Sequence, residues 1–364
     1  MALQWNDIRH DPYLAELRDL CGAGLIGRVI ARHGPSLEVV HPGGMVQAQP
    51  AGKLARAAAD GRSQLPVVGD YVELDASKPG TIVAVLPRRT MFERKEAGRR
   101  SVAQVICANI DSAVIVTTMP PHTAQRDADR SLLRDFSVRR VERFVATLDS
   151  RIRPIVVLNK SDLVSEADRA REAVCAQLPG IDVLTVSAAW GDGIEDLRAR
   201  IPVESTAVLV GSSGCGKSTL IARLTGDSPA TASVREADGR GRHTTTARQT
   251  YAVRDGGLII DTPGVREVQL ASDVESPARL GTAFPEIDAL ADTCRFSDCR
   301  HESEPGCAVR EAVRSGLIGN DRYLAYLELH GEQDVAAARL AKRDRLIERR
   351  AARASRMRRR SRGG

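Results

Sequence analysis

One stretch of the sequence combines the residue types that hold a phosphate group. Gly211, Gly216, Lys217 and Ser218 fit the pattern G-x-x-x-x-G-K-[ST], which is typical of a P-loop. An apolar, β-branched run over 207–210 precedes the loop and predicts a buried strand, and helix-compatible residues follow it. Glycines let the backbone turn tightly and aim several N–H groups at one anion, beside the positive end of the helix. We therefore predict a nucleotide-phosphate site, in which Lys217 reaches the β- and γ-phosphates and the Ser218 hydroxyl binds Mg²⁺.

A second stretch carries a pattern that reads a guanine base. The apolar run 154–158 leads directly into Asn159-Lys160-Ser161-Asp162, the N-K-x-D pattern of guanine-specific GTPases. The carboxylate can accept hydrogen bonds from N1–H and N2–H₂ of guanine, whereas adenine offers an acceptor at N1 and nothing at C2. An adenine nucleotide would leave the carboxylate unpaired and is therefore disfavoured. We expect Asn159 to hold the N7 edge and brace the P-loop, and the Lys160 stem to cover the base face.

Two further motifs complete the predicted nucleotide site. Ser187 and Ala188 follow the next predicted strand, where a backbone N–H could meet guanine O6. Downstream of the P-loop, a strand over 257–260 ends in the pattern D-x-x-G, formed by Asp261 and Gly264. That pattern places a carboxylate near Mg²⁺ and a glycine N–H near the γ-phosphate.

The predicted GTP-binding residues all belong to these four loops. They are Asn159, Lys160, Ser161, Asp162, Ser187, Ala188, Gly211, Ser212, Ser213, Gly214, Cys215, Gly216, Lys217, Ser218, Thr219, Asp261 and Gly264.

The segment 238–248, between the P-loop and D-x-x-G, has the polar, Gly- and Arg-rich composition of a mobile switch. We favour Thr245 within it as the second magnesium ligand, with Ser218 as the first. Ras-like enzymes orient the attacking water with a glutamine after D-x-x-G, but that place holds Val265 here. Hydrolysis is therefore slow, or another residue positions the water; His243 is the candidate catalytic residue, and a solvated loop histidine is the alternative.

The motifs occur in an unusual order. The base-reading motif comes first and the P-loop and D-x-x-G follow, whereas ordinary GTPases begin with the P-loop. The chain thus has the parts of a GTPase in circularly permuted order. Permutation is physically permissible because the site needs loops at one edge of a sheet, whichever strand comes first.

A cluster of soft ligands lies closer to the C-terminus. Cys294, Cys299, His301 and Cys307 supply three thiolates and one imidazole within fourteen residues. Such a set suits tetrahedral Zn²⁺, and a closed Cys₃His site is structural rather than catalytic. We predict one structural Zn²⁺ per chain; unpaired thiols in a loop are the alternative.

The spacing of apolar residues predicts the elements that must carry these motifs. Five short strands separated by turns over 27–95 suit a small barrel, of which the OB-fold is the common five-stranded form. Residues 88–100 are predicted to form a basic linker, and strands and helices then alternate, which indicates a parallel sheet. The predicted domains are 1–98, an N-terminal segment that is mobile or docks, plus an OB-fold; 99–275, a circularly permuted P-loop GTPase domain; and 276–364, a zinc-binding helical domain with a basic tail. The fold class is multidomain α/β.

A third glycine pattern carries no such prediction. Gly22, Gly24 and Gly27 match G-x-G-x-x-G, but no strand precedes them and β-branched residues follow where a dinucleotide site needs a helix. We interpret these glycines as bends at the start of the β-domain.

Charge is distributed unevenly along the 364 residues. Residues 335–364 hold twelve Lys or Arg and two acidic residues, a net charge of +10. The whole chain has a net charge of +6, so the remaining residues carry −4. This excess predicts a tail that contacts RNA. We find no apolar run long enough to span a membrane and no signal peptide, and an odd number of cysteines argues against a disulfide framework. We expect a cytoplasmic monomer.

Taken together, the motif order, Gly-Arg-His-Thr-Thr-Thr at 241–246, Asp-Thr-Pro-Gly-Val-Arg at 261–266 and the cysteine spacing resemble the ribosome small-subunit-dependent GTPase A family. Members of that family are bacterial, circularly permuted GTPases with an N-terminal OB-fold and a C-terminal Cys₃His zinc domain. The resemblance implies a late assembly factor that binds the small ribosomal subunit and its rRNA and hydrolyses GTP chiefly when bound there. It also implies that the factor checks the decoding region and helps release other maturation factors, and that His243 serves hydrolysis.

Two other functions remain open at this point. A GTP-gated RNA-binding adaptor with negligible turnover is favoured by Val265. A GTPase that delivers zinc through its cysteine cluster would need an exchangeable site, against which a complete set of four ligands argues.

Overall fold

The computed structural model describes residues 3–21, 24–60, 63–95, 103–120, 136–226, 248–262 and 283–331. The chain falls into two compact units. The first comprises Met1–Val141 and Asp149–Val268, and the second comprises Glu142–Leu148 and Gln269–Gly364. No helix in the part of the chain that the structure describes has the length and apolar character needed to cross a lipid bilayer.

Five strands near the N-terminus form a closed barrel, as their turn-separated pattern predicts. They are β1 (Leu25–His33), β2 (Ser36–His41), β3 (Gly44–Pro50), β4 (Tyr71–Asp75) and β5 (Lys78–Val85). β1 pairs with both β2 and β4, β2 pairs with β3, and β5 pairs with β3 and β4, so the ring of pairings closes. Helix α3 (Gly52–Ala59) lies between β3 and β4 in the chain. Gly27 lies inside β1, where an added Cβ would come within 2.4 Å of Val39 Cγ1.

Residues 3–20 dock onto the barrel, which favours docking over a mobile segment for this part of the chain. They contain α1 (Trp5–Ile8) and α2 (Tyr13–Arg18). Ile8, Leu14 and Leu17 are buried in one apolar cluster with Tyr71 of β4. Leu14 and Leu17 are three residues apart, which places them on one face of a helix, but their burial depends on the surface that the barrel offers.

A second group of strands forms the sheet that carries the motifs. They are β8 (Ser112–Thr118), β9 (Arg153–Asn159), β10 (Asp182–Thr185), β11 (Thr206–Gly211), β12 (Arg248–Ala252) and β13 (Leu258–Asp261). Their spatial order is β10-β9-β8-β11-β13-β12, and all neighbours are parallel except β12 and β13. The strands are rich in valine and isoleucine because both faces of a parallel sheet are covered.

Four described helices lie between strands β8 and β12 in the chain. They are α4 (Val138–Thr147), α5 (Ala167–Gln177), α6 (Ile194–Ala199) and α7 (Lys217–Thr225). Ile155, Leu209 and Ile259, from three parallel strands, are fully buried in one cluster with Leu220 of α7. The core therefore fixes the strand ends, and with them the loops that follow.

The barrel and the motif-bearing sheet are joined edge to edge. β1 pairs antiparallel with β12, with Ala31 opposite Gln249 and Arg32 opposite Arg248, so that eleven strands form one continuous sheet. The sequence gives no indication of this pairing, because its partners lie more than two hundred residues apart.

The predicted basic linker over 88–100 is wrong for residues 88–95. Arg88 donates to both carboxylate oxygens of buried Asp70, at 2.7 and 2.6 Å, and Arg89 pairs with Asp111. Met91–Lys95 then forms β6, which pairs with β7 (Ala103–Ala108). A run of charged residues is usually solvated. Here the two arginines instead pair with carboxylates that lie 18 and 22 residues away in the sequence.

A further arginine is buried in this unit. Arg28 on β1 is 1% exposed; its Nη2 donates to Asn109 O at 3.2 Å and to Thr206 Oγ1 at 2.9 Å. Its Nη1 lies 3.6 Å from Asp11 Oδ2, and its guanidinium lies 4.9 Å from the Tyr71 ring centroid. Arg28 therefore ties the N-terminal segment and the barrel to Thr206, the first residue of β11.

The second unit is helical where it is described. It contains α8 (Pro285–Ala291), α9 (Ala308–Arg314) and a helix over 320–331. Arg322 is central to it: the guanidinium pairs with Glu142 and Glu286, donates to Ala283 O at 2.6 Å and lies 4.2 Å from the Phe284 ring centroid. This arrangement holds three segments of the unit together around one charged side chain.

Candidate nucleotide site and metal centre

The predicted nucleotide motifs meet at one edge of the sheet. The P-loop follows β11, the base-reading motif begins at the end of β9, and D-x-x-G begins at the end of β13. These strands are parallel, so their carboxyl ends lie at the same edge. Strand order therefore brings together motifs that are far apart in the sequence, which is the arrangement that an open α/β sheet uses for ligands.

The P-loop backbone needs glycine at its two ends. Gly211 has φ 154° and Gly216 has φ 95°, a region that favours glycine. An added Cβ would lie 2.2 Å from Val116 O at Gly211 and 2.3 Å from Asn159 Nδ2 at Gly216. Gly216 is also the N-cap of α7, so the loop ends where the helix offers its free N–H groups.

Lys217 lies over the loop that it is predicted to serve. Its Nζ donates to Gly211 O at 2.7 Å and to Ser212 O at 2.6 Å. The ammonium group is thus held at the P-loop, as a role in binding phosphate oxygens requires. Ser218 follows at the first turn of α7.

Asn159 connects three of the predicted loops. It is 2% exposed; its Nδ2 donates to Cys215 O at 2.8 Å, and its Oδ1 accepts from the Ala188 amide at 3.0 Å. The first contact supports the predicted bracing of the P-loop. The second places the predicted readers of N7 and O6 side by side, and these two atoms are neighbours on guanine.

Asp162 is oriented by the loop after β10. The Ser187 hydroxyl donates to Asp162 Oδ1 at 2.6 Å and accepts from the Trp190 amide at 3.2 Å. Asp162 itself is exposed, while Ser187 is buried. The carboxylate that would read guanine is therefore held by a buried hydroxyl and remains open to a ligand.

The D-x-x-G loop is described only at its start. Asp261 lies opposite Leu209 in the β11–β13 pairing, and the Thr262 hydroxyl donates to Leu209 O at 3.0 Å. His243, Thr245, Gly264 and Val265 lie outside the described residues. Lys160 has a left-handed φ of 66° and is followed by a 3₁₀ turn at Ser161–Leu163, which turns the chain away from β9.

The sequence analysis missed one residue at this site. Arg223, in the last turn of α7, donates to the carbonyls of Ala188, at 3.0 Å, and of Ala189. An arginine in the last turn of a helix is a common solvated residue. Only the fold shows that the guanine loop lies next to it.

The four predicted metal ligands also come together. The ligand atoms of Cys294, Cys299, His301 and Cys307 all lie within 4.8 Å of one another. His301 Nδ1 is 3.5 Å from Cys294 Sγ and 3.4 Å from Cys307 Sγ, and the two sulfurs are 3.9 Å apart. Tetrahedral zinc, with Zn–S of about 2.3 Å and Zn–N of about 2.0–2.1 Å, requires separations of about 3.5 Å for S–N and about 3.8 Å for S–S. The ligand atoms of Cys294, His301 and Cys307 thus have the separations that Zn²⁺ requires.

Electrostatics in the cluster also suit a cation. Burial raises the pKa of the Cys294 thiol, but hydrogen bonds, including those from the Ala308 and Val309 amides, outweigh it and lower the pKa below the ordinary value. Burial and the neighbouring thiols raise the pKa of Cys299 to about 11. Without a cation the cluster therefore resists holding several thiolates, and a bound metal would remove that resistance.

The ligand loop has its own internal support. Glu304 accepts hydrogen bonds from the amides of Arg300, Glu302 and Ser303, each at 3.0 Å. Hydrogen bonds to backbone amides lower the pKa of this exposed carboxyl to about 2. The Tyr323 hydroxyl donates to His301 O at 2.6 Å. The His301 carbonyl and the amides of the residues before and after it are therefore all hydrogen-bonded.

Comparison with known proteins gives a consistent result. A family model described as RsgA GTPase matches residues 85–271. Proteins named small ribosomal subunit biogenesis GTPase RsgA are similar over most of their length. The one from Opitutus terrae is 40% identical over 88% of both chains, and the one from Streptomyces coelicolor is 37% identical over 94% of this chain and 88% of its own.

Two solved structures share the fold. YjeQ from Thermotoga maritima aligns with a TM-score of 0.61 and 25% identity, covering 85% of this chain and 98% of its own. YloQ, described as a circularly permuted GTPase, aligns with a TM-score of 0.59 and 24% identity, covering 86% and 96%. Both alignments extend over more than four fifths of this chain, and the description of YloQ agrees with the permuted order of the motifs.

Proposed function

The chain belongs to the RsgA family of GTPases, and from this premise we propose that it hydrolyses GTP to GDP and phosphate during maturation of the small ribosomal subunit. One observation supports the nucleotide part most directly. Asn159 is hydrogen-bonded both to Cys215 of the P-loop and to Ala188 of the O6-reading loop. A side chain that links these loops couples recognition of the base to recognition of the phosphates.

In the proposed site Asp162 accepts hydrogen bonds from N1–H and N2–H₂ of guanine. Asn159 meets the N7 edge, the Ala188 segment meets O6, and the Lys160 stem covers the base face. Adenine would leave Asp162 without its two donors, and this loss sets the preference for guanine.

The P-loop residues 211–219 and the N-terminus of α7 hold the phosphates, and Lys217 binds their β- and γ-oxygens. Ser218 and Thr245 are the proposed ligands of Mg²⁺, with Asp261 nearby. Ser218 lies in the first turn of α7 and Asp261 ends β13 at the same edge of the sheet, so hard oxygen donors are present where the ion is needed. When bound, the ion neutralises charge on the phosphates.

His243 is the proposed group that positions the attacking water, because Val265 cannot do so. A neutral imidazole can accept a hydrogen bond from water, which contributes roughly 10²–10⁴ in rate when the base is well placed. Gly264 is proposed to contact the γ-phosphate through its N–H.

The Cys₃His cluster is proposed to hold one structural Zn²⁺, since its donor set and dimensions suit that ion. The partners are the small ribosomal subunit and its rRNA, which the basic tail would contact through phosphates. We propose that the protein acts in the cytoplasm, as a monomer.

The decisive experiment measures phosphate release by the purified protein, alone and titrated with small ribosomal subunits. We expect low release alone and a saturable increase with subunits. The matched variants are Lys217→Ala, which should abolish release in both states, and His243→Ala, which should bind GTP and subunits normally yet lose most of the stimulated rate.

Two outcomes would contradict this proposal. GTP-dependent binding to subunits without turnover would favour the RNA-binding adaptor. Full stimulated turnover in His243→Ala would leave the water to be placed by backbone or by rRNA.

A further inference from the structure

Helix α7 begins at the P-loop and ends at the loop that would read guanine O6. Lys217 is its first residue, and Arg223 lies six residues later in its last turn. Arg223 Nε donates to Ala188 O at 3.0 Å, and its Nη2 donates to Ala189 O. One charged side chain thus binds two successive carbonyls of the loop.

These two carbonyls belong to the peptide groups that carry the amides of Ala189 and Trp190. In a trans peptide the C=O and the N–H of the next residue point in opposite directions, so fixing the carbonyl of Ala188 fixes the amide of Ala189. In the same way, fixing the carbonyl of Ala189 fixes the amide of Trp190, which donates to Ser187 Oγ at 3.2 Å. Ser187 in turn donates to Asp162. Arg223 therefore supports the loop from the side opposite to the proposed base.

The charge of Arg223 adds to this geometric effect. Hydrogen bonds from a guanidinium are stronger than those between neutral groups, and they polarise the peptide groups that accept them. A polarised peptide is a better N–H donor. The amides of Ala188 and Trp190 donate to Asn159 Oδ1 and Ser187 Oγ, so the Ala189 amide is the donor that would meet guanine O6. Adenine carries an amino group at that position and gains nothing from a stronger donor.

We propose that Arg223 is a positioning residue that sets recognition of guanine O6 and couples the base loop to the P-loop helix. This inference rests on the proposed GTP binding. Removing the guanidinium should weaken binding of GDP about tenfold, or about 1.4 kcal/mol. The loss should fall on the contact to O6, and GDP should dissociate faster, because α7 would no longer hold the base loop.

The test compares GDP with the diphosphate of 2-aminopurine riboside, which keeps the N2 amino group but lacks O6 and, with it, the N1–H. The loss of the N1–H contact to Asp162 is common to every variant, so it cancels when each variant is compared with the wild type. The affinities of both nucleotides are measured by displacement of a fluorescent GDP from the wild-type protein, Arg223→Met and Arg223→Lys. Arg254→Met is the matched control, since the Arg254 amide donates to Leu224 O of α7 while its side chain pairs with Asp255 at the surface. The unfolding temperature of each variant establishes that it is folded.

The expected result is about a tenfold loss for GDP in Arg223→Met with less than a twofold loss for the 2-aminopurine nucleotide. Arg223→Lys should recover part of the affinity, because one ammonium group cannot match the fork of the guanidinium. Arg254→Met should leave both affinities unchanged. Equal losses for the two nucleotides, or none, would overturn the inference; failure of the wild type to prefer GDP over ADP would instead overturn the proposed function.

Discussion

Replacing buried Arg28 by methionine should destabilise the first unit strongly. The change keeps a similar side-chain volume but removes the donors to Asn109 O and Thr206 Oγ1 and the charge beside Asp11. Breaking a buried ion pair by removing one partner costs roughly 3–5 kcal/mol. Asp11 keeps the Tyr71 hydroxyl at 2.8 Å and the Tyr13 amide at 3.0 Å, so the cost should lie near the lower end, at about 3 kcal/mol.

For a unit of this size that loss lowers the unfolding temperature by roughly 6–12 °C. Unfolding can be followed by the release of a bound fluorescent GDP, at the same protein and nucleotide concentrations for every variant, since ligand binding shifts the midpoint. Arg32→Met is the control on the same strand, because Arg32 bonds to Gly34 O in an exposed position. It should change stability by less than about 0.5 kcal/mol.

The double variant Arg28→Met/Asp11→Asn separates the ion pair from the other contacts. If the pair matters, the double variant should lose less than the sum of the single losses, by roughly 0.5–3 kcal/mol. A fall of less than about 2 °C in Arg28→Met would refute the view that these contacts hold the barrel to β11.

Four further predictions concern the site, the metal and the tail. Asp162→Asn should weaken GTP binding roughly hundredfold, about 3 kcal/mol, and favour xanthine nucleotide, whose C2 carbonyl needs a donor; equal binding of ATP and GTP by the wild type would contradict the assignment. Metal analysis should find about one zinc per chain, and Cys299→Ala should lose it and unfold the second unit locally, as circular dichroism can detect. Glu304→Gln should release zinc faster to a chelator at pH 7. The pKa of Glu304, about 2, lies below the ordinary value of 4.5. The carboxylate therefore supports the ligand loop fully above about pH 4.5, and this support is lost as the pH falls towards 2. Deleting residues 340–364 should weaken binding to ribosomal subunits and make that binding less dependent on salt, while GTP affinity stays the same. An unchanged salt dependence would show that the tail only increases solubility.

The site was predictable where residue type and strand polarity suffice. Asn159 and the P-loop each follow an apolar run, and parallel strands bring their carboxyl ends to one edge whatever their order in the chain. The cysteine cluster was predictable because four soft ligands lie within one short segment. The structure confirms that both sets of residues come together.

The remaining features depend on partners that are remote in sequence. Arg88 has the sequence context of a solvated linker residue, but the fold places Asp70, the residue before β4, beside it. Arg28 occupies a strand position where an apolar residue would be expected. Arg223 belongs to no recognisable sequence motif, because its proposed role depends on the packing of α7 beside a loop more than thirty residues earlier in the chain. Local pattern carries no information about such contacts.

The pairing of β1 with β12 has a consequence for how this protein can be divided. β12 lies between β13 and β1, so removal of the barrel would leave one side of β12 with unpaired N–H and C=O groups. An open strand of this kind is a template for pairing with another chain, and natural proteins protect such strands by covering or charging them. The barrel therefore also covers the edge of the sheet that carries the nucleotide motifs. A fragment beginning near residue 99 would expose the β12 edge and should aggregate through it.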